Sequence, residues 1–307
     1  NSMAERLRRL RFGLCADVHK DIMHDADERL RVFVERMKQE KVDFVLQLGD
    51  FCRPYDYNRS FMEVWESFPG PRFHVHGNHD IDGGFTREQT MEYWSMPARY
   101  YSADLSGYHL VVLDGNEERE GRPPGYPHYI GPEQLEWLRA DLAETEKPTF
   151  VFSHQSLESL AEPEQGVENA DEARAVLEEA NREAGWLKVA VCFSGHDHTD
   201  SHNCIDGIHY VQINSMSNYW MGDEYQQIRY GEEVDREFPW IKYTAPYRDS
   251  LYALVAVEPD GRIGIEGVKS AFVGSSPWDL DYPHRQVEER IVPTIRSREF
   301  SISPEVG

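Results

Sequence analysis

The chain has 307 residues, with 32 Lys and Arg against 55 Asp and Glu, giving a formal charge of −23. That charge argues against a protein that holds long nucleic acid by bulk electrostatics, and no run of about 18 apolar residues is present to span a membrane. Hydrophobic residues at 40% suffice for a core, and the length predicts one or two domains.

Asn1-Ser2 before Met3 reads as a vector-derived extension. No apolar stretch follows the basic Arg6-Leu7-Arg8-Arg9, so no secretory signal is expected. Cys15, Cys52, Cys192 and Cys204 form no Cys-x-x-Cys pair, and reduced, structural thiols in a cytoplasmic protein are the expectation. The first strand is predicted over Leu10–Ala16. Leu30, Phe33, Val34 and Met37 then recur at helical spacing and mark an amphipathic helix. Further strands are predicted at Phe44–Leu48, Phe73–His76 and Leu110–Leu113. Leu135, Leu138 and Leu142 lie on one helix face after Gly131-Pro132. A strand at Thr149–Phe152 precedes a helix over Asn169–Ala184 with Asn169 as its N-cap. Strands follow at Val189–Phe193 and Ile208–Ile213. Strands alternating with helices indicate a layered α/β fold.

From Asn218 to Asp249 the periodicity fails in a stretch rich in Tyr and Trp, too aromatic for disorder. A long ordered loop of this kind lines a site or an interface, with core packing as the competing expectation. Leu251–Val257, Glu258-Pro259-Asp260-Gly261 and Arg262–Ile265 read as a β-hairpin. The simplest division is one domain over residues 4–275 carrying the 218–249 insertion, then an irregular tail over 276–307.

Five polar clusters follow predicted strands: Asp17-Val18-His19, Gly49-Asp50, Gly77-Asn78-His79-Asp80, His154, and Gly195-His196-Asp197-His198. Ligands in α/β sheets bind outside the carboxyl ends of strands, so the five can meet at one rim. Residues i and i+2 of extended backbone point the same way, so Asp17 and His19 are expected to share a face, as are His196 and His198. Oxygen and nitrogen donors without thiolate suit Mn, Fe or Zn. Seven candidate ligands are too many for one tetrahedral ion but fit two ions about 3.5–4 Å apart. A lone Asp or His at a strand end is ordinarily a turn or packing residue; five such clusters in order make that reading improbable.

These motifs, across residues 10–200, resemble the calcineurin-like metallophosphoesterases. The resemblance implies a four-layer fold, a two-sheet β-sandwich flanked by helices. It also implies one metal held by Asp17, His19, Asp50 and His198, and another by Asp50, Asn78, His154 and His196, with Asp50 bridging. His79 is then expected to face the substrate phosphate and Asp80 to orient it. Purple acid phosphatases carry a Tyr ligand where this chain has Arg53, and Ser/Thr protein phosphatases read Gly-Asp-x-x-Asp-Arg-Gly and Gly-Asn-His-Glu, which it does not. Leu113-Asp114-Gly115 and Gly131-Pro132-Glu133-Gln134-Leu135-Glu136-Trp137-Leu138 are similar to class III cyclic-nucleotide phosphodiesterases and to manganese-dependent ADP-ribose/CDP-alcohol diphosphatases. The 218–249 stretch aligns with neither.

The expected function is a dinuclear phosphohydrolase that cleaves a phosphate ester or diphosphate through a metal-bridging hydroxide. A small phosphorylated substrate, nucleotides included, is the expected partner. A phosphomonoesterase of the same fold and a non-catalytic metal-binding scaffold stand as alternatives, and a nuclease only for short oligonucleotides. His74, His76, His202 and His209 are expected in packing roles and Gly83-Gly84 as a hinge. Arg53 is placed equally at a phosphate or on the surface. Cys52, two residues past Asp50, is expected near the metals and open to oxidation.

Overall fold

The computed structural model describes residues 7–160 and 162–302; the expected extension at Asn1-Ser2, with Arg6, and the tail's last residues, 303–307, lie outside the described residues. The chain runs β1 (Leu10–Cys15), α1 (Ala26–Glu40), β2 (Phe44–Gln47), α2 (Arg59–Glu66), β3 (Arg72–His74), α3 (Arg87–Trp94), β4 (Tyr101–Leu105) and β5 (Tyr108–Val112). It continues through α4 (Pro132–Glu144), β6 (Thr149–Ser153), α5 (Ala170–Ala184), β7 (Val189–Ser194), β8 (Ser201–Ile205) and β9 (Ile208–Gln212). The remainder is β10 (Asn218–Trp220), α6 (Glu232–Glu237), β11 (Thr244–Pro246), β12 (Ala253–Val257), β13 (Arg262–Glu266) and β14 (Arg298–Ser301).

One sheet has the order β14-β13-β12-β1-β2-β3, the other β4-β5-β6-β7-β9-β8. Strand alternation sorts the side chains into layers. Phe12 and Leu14 of β1 and Phe44 and Leu46 of β2 meet Leu110, Val112, Phe150, Phe152 and Phe193 between the sheets. Phe12 stacks on Phe44 with ring centroids 4.6 Å apart, and each such buried ring stabilises by roughly 1.5–3 kcal/mol. The alternate residues Cys15 and Val45 pack under α1 and α2. Val111, Val151 and Cys192 pack under α4 and α5. The result is the expected four-layer α/β architecture. Among the described residues no helix is long and apolar enough to cross a membrane.

Several local expectations change. Asn169 precedes α5 but makes no side-chain cap bond; its amide instead exchanges hydrogen bonds with the backbone of Ile130, at 3.0 and 2.6 Å. The stretch expected to be an irregular tail ends in β14, which pairs with β13, and it buries Val287, Ile291, Ile295 and Ile302 in the inter-sheet core. Its apolar residues are spaced without period because they descend from turns, not from one element. The 218–249 stretch is ordered around the β10–β11 ladder. Tyr219 is buried and shares a hydrogen bond of 2.9 Å with Tyr282, whereas Trp220 is 40% exposed. Packing therefore accounts for Tyr219 but not for Trp220.

Candidate metal centre

The five clusters converge beyond the carboxyl ends of β1, β2, β3, β6 and β7. They do not do so in extended backbone. Asp17, His19, Asp50, His196 and His198 all have positive φ, five of the ten non-glycine residues so described. That left-handed region is unfavourable for residues with a Cβ, and its concentration here marks a functional turn set. It also corrects the shared-face expectation for His196 and His198, which diverge into separate ligand groups because each sits in a tight turn after β7, whereas Asp17 and His19 fall in one group.

The glycines before the ligands are there for close approach. A Cβ on Gly77 would collide with the Asp50 carboxylate, and one on Gly49 with the His154 ring. The Gly-Asp and Gly-Asn pairs are thus one packing unit, with each glycine making room for a ligand from another loop.

Asp17, His19 and His198 form one group of donor atoms, and Asp50, His154 and His196 a second. Asp50 Oδ2 faces both, 3.7 Å from His19 Nε2 and 3.3 Å from His154 Nε2. Asn78 Oδ1 lies 3.1 Å from His154 Nε2, and His196 Nδ1 is at the same distance from it. His154 Nδ1 donates to the Leu48 carbonyl at 2.7 Å and His198 Nδ1 to the Asn218 carbonyl at 2.6 Å. Those bonds leave both Nε2 atoms pointing inward as free donors to a metal. The 218–249 stretch thus begins by fixing a candidate ligand.

Asp17 Oδ1 is buried with no hydrogen-bond partner; its other oxygen accepts the His196 N–H at 2.9 Å. Acceptors facing one another in a buried site call for positive charge between them. The titration tendencies agree. Burial opposes charging of His154, yet Asp50 and Asp17 raise its pKa to about 10. Burial likewise opposes ionisation of Asp17, but His198 and His154 hold it below its usual value. Hard oxygen and imidazole donors, an orphaned carboxylate oxygen and two groups sharing Asp50 fit a pair of divalent ions.

His79 stands apart from both groups, about a third exposed. Its backbone N–H donates to Asp50 Oδ1 at 2.9 Å, so its position is tied to a candidate ligand. The expectation that Asp80 orients it is corrected. Asp80 accepts the backbone N–H groups of Asp50, Phe51 and Gly77, each at 2.7 Å, and braces the two loops. A buried carboxylate takes amides before it takes an exposed ring. Asp82 meets His79 Nδ1 instead, at 2.9 Å, and also holds Arg53 Nε at 2.6 Å and the Tyr126 hydroxyl at 2.8 Å. Burial lowers the His79 pKa, but Asp50 and Asp82 outweigh it and the net direction is up. Sequence reasoning missed Asp82 and Tyr126. The His-x-x-Asp spacing was the available signal for the first; the second had none.

Cys52 is corrected as well. It lies against Met62 and the Trp94 N–H, and burial pushes its thiol well above the ordinary value, so it is not an oxidation-prone thiolate. His74 pairs with Gln47 at 3.1 Å and stacks on Trp94. His76 is wholly buried with both ring nitrogens unpartnered. The Asp114 and Gln134 of the two shorter motifs hydrogen-bond each other's backbone or amide at 2.9 and 2.8 Å, fastening α4 to the end of β5.

Two stacked mixed sheets with paired His/Asp groups at one rim define a metal-dependent hydrolase class. The chain belongs to the calcineurin-like phosphoesterases: the family model matches residues 10–200. It is thus a metal-dependent phosphoester hydrolase. No curated protein sequence matches the chain. Among solved structures it is similar to a dimetal phosphatase from Danio rerio, with 17% identity, 86% of this chain and 98% of that chain covered, and a TM-score of 0.63. It is also similar to GAP50, the anchor in the inner membrane complex of Plasmodium, with 16% identity, coverage of 87% and 85%, and a TM-score of 0.56. At these identities the likeness concerns the fold.

Proposed function

We propose that the protein is a dinuclear phosphodiesterase of small molecules, nucleotides among them. Asp17, His19, Asp50 and His198 would hold one ion, and Asp50, Asn78, His154 and His196 the other. Two such ions supply Lewis acidity and a water activated for attack at phosphorus. The observation that carries the reading is Asp50 Oδ2 between two groups of candidate ligands.

This chain's own residues then do the rest. Asp80 keeps the Asp50 and Asn78 loops in register. The protonated His79 ring, held by Asp82, faces the rim and donates to a phosphoryl oxygen or to the departing alkoxide. The charge balance favours a diester monoanion over a monoester dianion. Protonated His79 and Arg53 share the one carboxylate of Asp82, which leaves a single net positive charge at the rim. The one non-bridging charge of a diester matches it, and the second charge of a monoester exceeds it. The resemblance in the two shorter motifs to phosphodiesterases and diphosphatases supports the same direction. Mn, Fe or Zn are the metals proposed, in a cytoplasmic setting.

The test is elemental analysis of metal-loaded protein together with hydrolysis of bis(4-nitrophenyl) phosphate and 4-nitrophenyl phosphate under Mn, Fe and Zn. Two ions per chain and a higher kcat/KM on the diester are expected. One ion or none, or a clear preference for the monoester, overturns the reading.

A further inference from the structure

Beside the metal centre a cleft of about 380 Å3 opens, lined in part by Asn78, Asp82, Phe85, Glu88, Glu118 and Tyr126. We propose, resting on the phosphodiesterase reading, that this cleft holds the organic arm of the substrate and selects an arm that is uncharged or cationic over one bearing a further phosphate.

Position is the first support. Asn78 belongs both to the cleft wall and to the candidate ligands, its Oδ1 being 3.1 Å from His154 Nε2. A phosphorus atom at the metals therefore sits at the inner end of the cleft, and whatever it is esterified to extends along it. The volume lies in the range of small-ligand sites and is ample for a nucleoside or a choline-sized group.

The walls are the second. Phe85 is held edge-on by Tyr55, ring centroids 4.9 Å apart at 82°. Tyr126 is 48% exposed and packs edge-on to His79 at 4.8 Å, its hydroxyl anchored on Asp82. Two fixed aromatic rings offer faces and edges to a flat ring or to an alkylammonium.

Charge is the third and decides the selectivity. Among the described residues, the lining arginine Arg87 and the arginines Arg53, Arg99 and Arg122 tied to lining or neighbouring carboxylates are already paired. Arg53 is bound to Asp82 at 2.6 Å, and Arg87 to the buried Asp114 at 3.0 Å and to the Asn116 carbonyl. Arg122 is bound to Glu118 at 2.5 Å, and Arg99 to Glu117 at 2.8 Å. Glu88 is exposed and adds a negative charge. Phosphate recognition asks for an unpaired guanidinium, ammonium or cluster of amides, and breaking the Arg87–Asp114 pair would strand a buried carboxylate. A second phosphate on the arm meets Asp82, Glu88 and Glu118 with no unpaired basic side chain among the described lining residues, whereas a neutral ring or a cation finds aromatic and anionic surface.

The experiment uses two diesters with one sizeable arm each: thymidine 5′-(methyl phosphate), and the same compound carrying a 3′-phosphate. Hydrolysis by the manganese-loaded protein is followed by chromatography. Adding the 3′-phosphate is expected to lower kcat/KM by about tenfold or more, as like-charge juxtaposition does, and Glu88→Lys is expected to narrow that ratio. Equal or faster hydrolysis of the 3′-phosphorylated compound by the unaltered protein overturns the proposal. So does an active enzyme on bis(4-nitrophenyl) phosphate that turns over neither thymidine ester. If even bis(4-nitrophenyl) phosphate is inert, the phosphodiesterase reading fails on its own. Calorimetric binding of thymidine 5′-phosphate against thymidine 3′,5′-bisphosphate then decides the cleft: tighter binding of the monophosphate supports the selectivity, and tighter or equal binding of the bisphosphate overturns it.

Discussion

Two places in this molecule bring histidine rings within hydrogen-bonding distance, and they behave as opposites. In the metal centre His19 Nε2 and His198 Nε2 are 3.1 Å apart. On the β8–β9 hairpin His202 Nε2 and His209 Nδ1 are 2.8 Å apart. The first pair sits on left-handed turns beside two buried carboxylates, with His198 pinned by a carbonyl. The second sits on regular strands, with both rings packed on Phe300 and, among the described residues, no carboxylate paired with either ring. Nearness of imidazoles is therefore not what makes a ligand. What distinguishes the rim is a pair of buried carboxylates among imidazoles, backbone strain and a carboxylate oxygen left without a hydrogen-bond partner, three features of one site that suits cations.

The largest effect that sharpens this contrast is at Asp50. Asp50→Asn removes the charge facing both groups, and a loss of several kcal/mol of transition-state stabilisation, roughly a thousandfold or more in kcat/KM, is expected together with fewer than two ions by elemental analysis. The double change His202→Gln and His209→Gln is expected to leave metal content and kcat/KM where they were. If the hairpin variant lost metal, the distinction drawn between the two pairs would be wrong.

The next effect is at His79. His79→Ala is expected to retain both ions and lose about 10²–10⁴-fold in kcat/KM, the usual range for a missing general acid. Loss of an ion would instead make His79 a ligand. A smaller and more diagnostic effect belongs to the two carboxylates that follow it. Asp82→Asn is expected to lower kcat by about tenfold or more with metal retained, and to move the acidic-to-basic limb of the pH profile, because Asp82 supports the protonated ring. Asp80→Asn is expected to lower Tm and metal content together, since Asp80 braces three amides. The opposite pattern in the two variants would restore the role first read from the motif.

The rim was legible because short motifs encode short-range geometry: Gly49 and Gly77 stand directly before the candidate ligands Asp50 and Asn78, and each leaves room for a ligand of another loop, His154 and Asp50 respectively. The central strands were legible because burial on both faces makes them continuous apolar runs. What lay hidden was set by distant partners. Tyr126 reaches Asp82 from a Gly- and Pro-rich loop 44 residues away, and nothing in its local pattern says so. β4 and β14 are outer strands of their sheets, with polar residues among the apolar ones, so neither reads as a strand on its own. Asn169 had the residue type of a cap but was claimed by Ile130, a tertiary partner.

The smallest effect concerns the hairpin pair and pH. Burial is the leading cause that lowers the His202 pKa, with His209 and Arg298 adding to it, to about 4; burial also lowers that of His209, against a hydrogen bond to the Ser301 backbone. An unfolded histidine titrates near 6.5. Between those values the unfolded chain binds protons that the folded hairpin refuses, so the pair's contribution to stability is present above about pH 6.5 and is lost as pH falls toward 4. Both rings are half-buried, which keeps the effect modest. The His202→Gln, His209→Gln protein should therefore show a shallower decline of Tm between pH 6.5 and 4 than the unaltered protein. Histidines of the metal centre also titrate on acidification, but they are common to both proteins and cancel in the difference. Parallel Tm curves across that window would mean that the histidine pair is protonated in place, and that Phe300 does not shield it from water as its packing implies.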